Sequence, residues 1–203
     1  MNFSKIGVKF QRIVFIVTVI CTSREKAFSQ TDQNLVSTAL HRVIFEKSDT
    51  IYNFYVVQAE KGMTISNDLI YSWYAPDTVL QTHGGYGRFV LNGNYTVFYP
   101  NKNLREEGTY SFGLKVGEWK NWYPNGVLNS SINWKKGKKQ GKFVIYSENS
   151  EILRTGEYNN DLLDGHIVEV TSDNKAIKRK YKKGKLKMDD STSVKLDQSS
   201  DIQ

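Results

Sequence analysis

Between about Leu69 and Leu186 the chain repeats one pattern of apolar and polar positions every 24 residues. Gly93, Gly117, Gly141 and Gly165 share one phase of that period, and so do Pro76, Pro100 and Pro124, the only prolines. With the glycine as position 1, position 3 reads Tyr71, Tyr95, Trp119, Phe143 and Ile167. Position 6 reads Tyr74, Phe98, Trp122, Tyr146 and Val170, and position 18 reads Tyr86, Tyr110, Trp134, Tyr158 and Lys182. Position 9 is always Asp or Asn, directly after the proline position, and Asn125-Gly126 is a strong two-residue hairpin signal. Positions 1–7 and 12–18 therefore predict the two strands of a hairpin, since their length and aromatic content suit strands better than helices.

A turn at positions 9 and 10 fixes the register. Position 1 then faces 18, position 3 faces 16, and position 6 faces 13, which sets Phe98 against Arg105, Trp122 against Asn129 and Tyr146 against Leu153. A second turn at positions 21 and 22 (Gly113-Leu114, Gly137-Lys138, Asp161-Leu162) joins each hairpin to the next. Reading across the sheet gives two rows in which aromatic residues and glycines alternate. One runs Tyr71, Gly84, Tyr95, Gly108, Trp119, Ile132, Phe143, Gly156, and the other Tyr86, Gly93, Tyr110, Gly117, Trp134, Gly141, Tyr158, Gly165. A glycine leaves room for a neighbouring ring to lie across its bare backbone, so Gly117 is expected to sit beneath the rings of Tyr110 and Trp134. Leu80, Tyr99, Leu104, Tyr123 and Leu128 extend the same apolar face. Arg105, Glu107, Thr109, Asn129, Ser131 and Asn133 make the other face polar, the signature of a half-solvated antiparallel meander with no second layer.

The motif GEWKNWYPNGVL, followed by Trp134 and Gly137, resembles the bacterial MORN-repeat-variant family, many of whose members are catalogued as YwqK-type antitoxins of toxin–antitoxin systems. The likeness spans about Leu69 to Leu186 and is strongest between Gly93 and Gly165. It implies an elongated twisted sheet of hairpins with a binding or scaffolding role, in which the motif residues are structural and carry no active site.

The expected architecture is all-β: an elongated, twisted antiparallel meander of about five 24-residue hairpin repeats over residues 69–187, preceded by an N-terminal cap at 30–68. In the cap, Leu35 to Ile44 would suit a helix face, whereas Val43–Phe45 and Ile51–Val57 read as strands, and Glu60-Lys61-Gly62 marks a turn. Residues 188–203 are rich in Asp and Ser without periodicity and read as a disordered tail. Residues 1–29 read as a secretory signal: Lys5, Lys9 and Arg12 precede the apolar run Ile13–Ile20, and Ala27-Phe28-Ser29 is a small-x-small site. The run is short for a membrane span. Cys21, the single cysteine, would suit a lipoprotein, but Ile20 stands where a small residue should precede it. An exported product in the periplasm, envelope or medium is expected, with no disulfide, zinc site or thiol nucleophile once Cys21 is removed.

Charge is uneven along the chain. Taking the five basic residues and one acid of residues 1–29 from totals of 28 and 21 leaves 23 and 20, so the net charge falls from +7 to +3. Lys178, Arg179, Lys180, Lys182, Lys183 and Lys185 crowd the last unit, where they either contact an anionic surface or cap the sheet with solvated charge. No base-reading motif accompanies them, so no nucleic acid is expected. His41, His83 and His166 are scattered, and Glu106 and Glu107 point to opposite faces of a strand, so no catalytic, metal or cofactor site is expected. Phe98, Trp122 and Tyr146 break the otherwise polar face, either as a partner-binding row or as rings covered by the N-terminal segment. The function this supports is a non-enzymatic, exported protein-binding module of antitoxin or immunity type. The alternative is an envelope scaffold touching an anionic membrane or glycan surface through the basic block. Cleavage at the small-residue site predicts that intact mass of exported material shows a chain beginning near Gln30; a retained Met1 would refute it.

Overall fold

The computed structural model describes residues 40–59, 64–171, 173 and 175–193, with side chains described as far as Lys187. Among these residues there is no helix. Thirteen antiparallel strands form one twisted open sheet: β1 (His41–Lys47), β2 (Thr50–Gln58), β3 (Ile70–Ala75), β4 (Thr78–His83), β5 (Phe89–Phe98), β6 (Leu104–Ser111), β7 (Leu114–Trp122), β8 (Leu128–Lys135), β9 (Lys138–Tyr146), β10 (Ile152–Asn159), β11 (Leu162–Val170), β12 (Ala176–Lys182) and β13 (Lys185–Ser193). Their order is β1-β2-β5-β6-β7-β8-β9-β10-β11-β12-β13, with β3–β4 branching from β5. β13 continues to Ser193, past the boundary expected at 188. The tail from 194, the signal at 1–29 and the Glu60-Lys61-Gly62 turn lie outside the described residues. So does the first half of the Leu35–Ile44 stretch, whose described end, from His41, is strand.

The register within each hairpin is as expected at its base. Gly93 pairs with Tyr110, Tyr95 with Gly108, Gly117 with Trp134, Trp119 with Ile132, Gly141 with Tyr158 and Phe143 with Gly156. The loops differ. The later two proline loops have three residues, Pro100–Lys102 and Pro124–Gly126, closed by Tyr99 N–H to Asn103 O (2.9 Å) and Tyr123 N–H to Val127 O (2.8 Å), whereas Pro76-Asp77 is a two-residue turn between the paired Ala75 and Thr78. Proline pre-sets the first turn residue, and the third, Lys102 or Gly126, takes the left-handed conformation at φ 68° or 87°. The extra loop residue puts a bulge after position 5, so position 6 meets position 12: Phe98 pairs with Leu104, Trp122 with Leu128 and Tyr146 with Ile152. The expected partners Arg105, Asn129 and Leu153 are each displaced by one residue.

The turns between hairpins fall one residue earlier than expected, at Phe112-Gly113, Lys136-Gly137 and Asn160-Asp161, all with positive φ at both residues. That shift slides the register by two near the turn: Tyr110 pairs with Lys115, whereas Glu107 pairs with Lys120. A bulge at Gly117 absorbs the difference. Gly93, Gly117, Gly141 and Gly165 all stand at positive φ, 69° to 95°. A Cβ built on Gly117 would meet nothing within 4 Å, so no ring lies over it, and the expectation that Tyr110 and Trp134 cover it is corrected. Its requirement is conformational: an L side chain in this left-handed conformation costs about 1–2 kcal/mol. The steric requirement lies at position 16, where a Cβ on Gly108 would fall inside the Trp119 indole and one on Gly156 would come 2.3 Å from Ile167 Cδ1 and 3.2 Å from the Phe143 ring. The Trp119 indole N–H lies 3.2 Å from Val116 O and 3.3 Å from Thr109 O, partnering carbonyls at the bulge.

The first unit departs from the pattern. Tyr95 pairs with Phe54 of β2 instead of Gly84, and the N-terminal hairpin β1–β2 occupies the edge of β5 that β4 was expected to hold. Phe54, Val56 and Val57 are buried there. β3 touches β5 only through Trp73–Val90 and Tyr74–Phe89, and the β3–β4 hairpin then lies across the aromatic face. Ser72 N–H donates to Gly113 O (2.8 Å), the Ser72 hydroxyl bonds that of Tyr110 (3.2 Å), and the Tyr74 ring stands 5.8 Å from Phe54 and 6.1 Å from Phe45. The expected single-layer sheet therefore has a partial second layer over β1, β2, β5 and β6. The core beneath it contains Phe45, Phe54, Val56, Leu91, Tyr95, Val97, Tyr110 and Trp119. Lys138 Nζ, 2.5 Å from Asp68 Oδ2, ties the segment before β3 to β9. Hydrogen bonds from Lys138, and then Ser66, hold the Asp68 carboxyl at about 2. With a lowered folded-state pKa, that tie is complete above the ordinary value of 3.8 and is lost as pH falls through about 2.

The two glycine classes respond differently to substitution. Gly117→Asn should retain more stability than Gly117→Val, because Asn tolerates the left-handed conformation and a β-branched residue does not. Gly108→Ala should cost about 1–3 kcal/mol by overpacking against Trp119, and that loss should shrink in a Trp119→Leu background. Urea denaturation of the four variants and the double variant checks both. Equal midpoints for Gly117→Asn and Gly117→Val, or full additivity at 108 and 119, would contradict this division.

Candidate functional site

Phe98, Trp122 and Tyr146 are the last residues of β5, β7 and β9, so consecutive repeats carry them to the same end of the sheet. Strand alternation turns them away from Tyr95, Trp119 and Phe143, the buried rings of the same strands. All three are half-buried. The residues beside them are stapled from one repeat to the next. The Tyr99 hydroxyl donates to Trp122 O and the Tyr123 hydroxyl to Tyr146 O, both at 2.8 Å. Asn101 and Asn103 both donate through Nδ2 to Pro124 O, at 2.7 and 2.8 Å, and Asn125 Nδ2 reaches Glu148 O at 3.4 Å. The next unit has Ser147 where a tyrosine stood, and its hydroxyl instead accepts the N–H groups of Asn149 and Glu151 within its own loop. Stapling thus covers the span from β5 to β9 that holds the three rings.

The basic block does not lie on one face of the sheet. Alternation along β12 places Lys178, Lys180 and Lys182 on one face and Arg179 on the other, directly across from buried Ile167. Arg179 Nη1 lies 2.6 Å from Glu169 Oε2, and Arg154 Nε lies 2.8 Å from Oε1 of the same carboxylate. Lys182 Nζ contacts Asp164 Oδ2 at 3.1 Å, a hydrogen bond that lowers the Asp164 pKa. Lys183 lies in the turn between β12 and β13; it, Lys180 and Lys185 are exposed. Exposed pairs of this kind contribute about 0–1 kcal/mol.

The aromatic face carries an arrangement that the sequence reading did not single out. Lys115 Nζ sits 3.6 Å from the centroid of Trp119 and 5.4 Å from that of Trp134, and 2.9 Å from Glu106 Oε1. Lys139 Nζ is 5.8 Å from the Trp134 centroid and 5.1 Å from that of Tyr158. Cations thus alternate with rings along the row Tyr110, Lys115, Trp134, Lys139, Tyr158, each worth about 0.5–1 kcal/mol at such sites. The signal was available, because Lys115 and Lys139 share position 23 of the repeat.

Burial pushes the Tyr95 and Tyr110 phenols above their ordinary value, so both stay protonated. Glu118 is shifted the other way, its carboxylate accepting the Ser131 hydroxyl at 2.6 Å with Lys120 at 3.0 Å. Among the described residues no group of three His, Cys, Asp or Glu side chains converges as a metal site, and no helix is long and apolar enough to cross a membrane.

A sheet built from stapled, glycine-bulged hairpins defines a repeat protein, and two of its hairpins are similar to a known repeat family. Residues 91–111 and 115–136, which span most of the β5–β6 and β7–β8 hairpins, match the MORN repeat variant. Repeats of this class are typically non-enzymatic binding units. No curated protein matches the chain.

Tyr99→Phe and Tyr123→Phe each remove one hydrogen bond to a carbonyl and nothing else. Each should lower stability by about 1 kcal/mol. Amide exchange should show the loss local to the loops around 100–103 and 124–127; unchanged stability in both variants would mean that the staples contribute nothing.

Proposed function

We propose that this chain is a non-enzymatic repeat module that holds a protein partner along the row Phe98, Trp122 and Tyr146. The observation that supports it is the coincidence of that row with the stapled span: large half-exposed rings stand on every second strand, about 9–10 Å apart, on a backbone whose loops are fixed to one another. Rings held in place lose little entropy on binding, and aromatic anchors dominate protein interfaces. In this reading Trp122 is central and is the anchor. Residues 1–29, with their basic start, apolar run and small-residue site, support an exported setting, where the partner would be an envelope or extracellular protein. An immunity-type role, as the family likeness suggests, is the form of binding that fits a small module without catalytic groups.

A second reading keeps the exposed Lys180, Lys183 and Lys185 as a contact for an anionic surface, with the sheet as a spacer in the envelope. One experiment separates the two. Proteins retained by the wild-type chain are compared with those retained by Trp122→Ala, after circular dichroism shows that the variant sheet is intact. Loss of a specific partner, equivalent to about 2 kcal/mol or more, is expected. If the folded variant keeps every partner at wild-type affinity the aromatic row is not the site. Salt-sensitive binding of both proteins to anionic vesicles would then favour the basic block.

A further inference from the structure

We infer that the turn Lys135–Lys138 is a binding site for the carboxylate of an acidic segment on a partner protein. Four turns between hairpins are built alike. In each, the N–H of the second turn residue donates to a backbone carbonyl: Gly113 to Leu91 O (2.7 Å), Gly137 to Lys115 O (2.9 Å), Asp161 to Lys139 O (3.0 Å) and Gly184 to Leu163 O (2.8 Å). The residue after that carbonyl can then offer a side-chain oxygen to the N–H of the first turn residue. Asn92 Oδ1 accepts from Phe112 (3.0 Å), Gln140 Oε1 from Asn160 (3.1 Å) and Asp164 Oδ1 from Lys183 (3.3 Å). At Lys136-Gly137 the equivalent residue is Val116, which has no side-chain oxygen. The Lys136 N–H, an obligatory donor, therefore has no acceptor among the described residues.

The turn between β12 and β13 shows what fits there. It repeats the same four residues, Lys182-Lys183-Gly184-Lys185 for Lys135-Lys136-Gly137-Lys138, and the first and last of them pair in both turns. The backbone is the same as well, with φ 49° and 74° at Lys183 and Gly184 against 50° and 78° at Lys136 and Gly137. In the later turn the Asp164 carboxylate bridges two donors: Oδ1 takes the Lys183 N–H and Oδ2 lies 3.1 Å from Lys182 Nζ. The Lys136 N–H and the Lys135 ammonium supply the same two donors without the carboxylate. Lys135 and Lys136 are exposed, and neither makes an ion pair among the described residues. A carboxylate held by a backbone N–H and an ammonium forms charge-assisted bonds, which are stronger than neutral ones. Asp164 meets its donors with one oxygen each, so a planar carboxylate satisfies the site without the third oxygen of a phosphate group. Lys138 already draws Asp68 from the segment before β3, a carboxylate attracted to this turn from within the chain. Beside it Ser66, Lys135, Lys136, Lys138 and Gln140 line a cleft of about 510 Å³, room for the residues that flank an acidic side chain. The turn lies at the opposite end of the strands from Phe98, Trp122 and Tyr146, so this inference is independent of the aromatic row.

The test titrates the full chain with the peptide acetyl-Gly-Asp-Asp-Gly-amide at constant ionic strength, with the peptide carrying Asn for Asp as control. The Lys136 amide resonance should move and saturate in the millimolar range with the acidic peptide alone. Val116→Asn adds the missing oxygen without changing the charge, as Asn92 does for Phe112. It should weaken peptide binding about tenfold and slow exchange of the Lys136 amide. The polar residues Asn92, Gln140 and Asp164 at the equivalent positions show that the sheet accepts this substitution. Lys135→Gln, at an exposed side chain, should weaken binding about fivefold and leave that exchange unchanged. A Lys136 amide that moves equally with both peptides, either variant binding the acidic peptide as tightly as wild type, or a saturating response to inorganic phosphate but not to the peptide would overturn the inference.

Discussion

The sheet depends on the left-handed glycine that opens each repeat after the first. A two-residue turn between hairpins is short and well formed, but it slides the facing strands two residues out of the register that the hairpins themselves require. Only a bulge can reconcile the two, and a bulge of this kind needs a residue at positive φ. Gly93, Gly117, Gly141 and Gly165 supply it. Once the register is restored, the ring at position 3 falls over the bare backbone at position 16 of the preceding strand, as Trp119 does over Gly108. Tyr95, Trp119, Phe143 and Ile167 are then 6% exposed or less, although β3–β4 covers only the N-terminal part of the sheet. A strand bent by a bulge wraps its own neighbours, and so buries side chains that a flat sheet would leave to water.

Much of this was legible in the sequence because it is local and repeated. The period, the alternation of faces and the pairs Tyr95–Gly108, Trp119–Ile132 and Phe143–Gly156 all follow from the spacing of glycines and rings. Loop lengths were not legible to the residue. Asn125-Gly126 is a strong signal for a two-residue turn, yet Pro124 before it favours a type I turn, which needs a third residue in the left-handed region. Proline alone does not set the length, because Glu148–Ser150 makes the same three-residue loop without one and Pro76-Asp77 is a two-residue turn. The third loop residue decided which neighbours Phe98, Trp122 and Tyr146 acquired. The position of the three rings in the sheet could therefore be read from spacing, while their cross-strand partners could not.

The first repeat shows the other limit. Its sequence carries the right residues at positions 3, 6 and 18, and its strands form, but the pairing of β4 with β5 is replaced by a contact distant in sequence. β2 competes for the same edge with Phe54, Val56 and Val57, all 3% exposed or less, whereas β4 offers Leu80, 38% exposed, and polar Gln81 and Thr82. The larger apolar burial holds the edge. Displaced, the first hairpin still buries Tyr71 and Ser72 by lying across the face. A repeat rule predicts each unit from its own residues and cannot weigh a competitor from outside the array.

The repeats also differ in what they spend on structure and what they leave at the surface. Between β5 and β9 the tyrosine at position 7 and the asparagine at position 9 tie each loop to the next. In the following unit Ser147 closes its own loop, and one unit further on position 6 declines from a ring to Val170. The aromatic face changes in step: Arg179 stands opposite Ile167, the place that Gly108 and Gly156 hold opposite rings upstream, and it shares Glu169 with Arg154. A charged cluster satisfies itself without a covering layer. Rigid loops, large rings and the match to MORN-variant repeats thus coincide in the centre of the sheet, while charge and simpler loops finish its C-terminal end. Fixed geometry and exposed aromatic area are the two properties a binding surface needs together, and only the central repeats supply both.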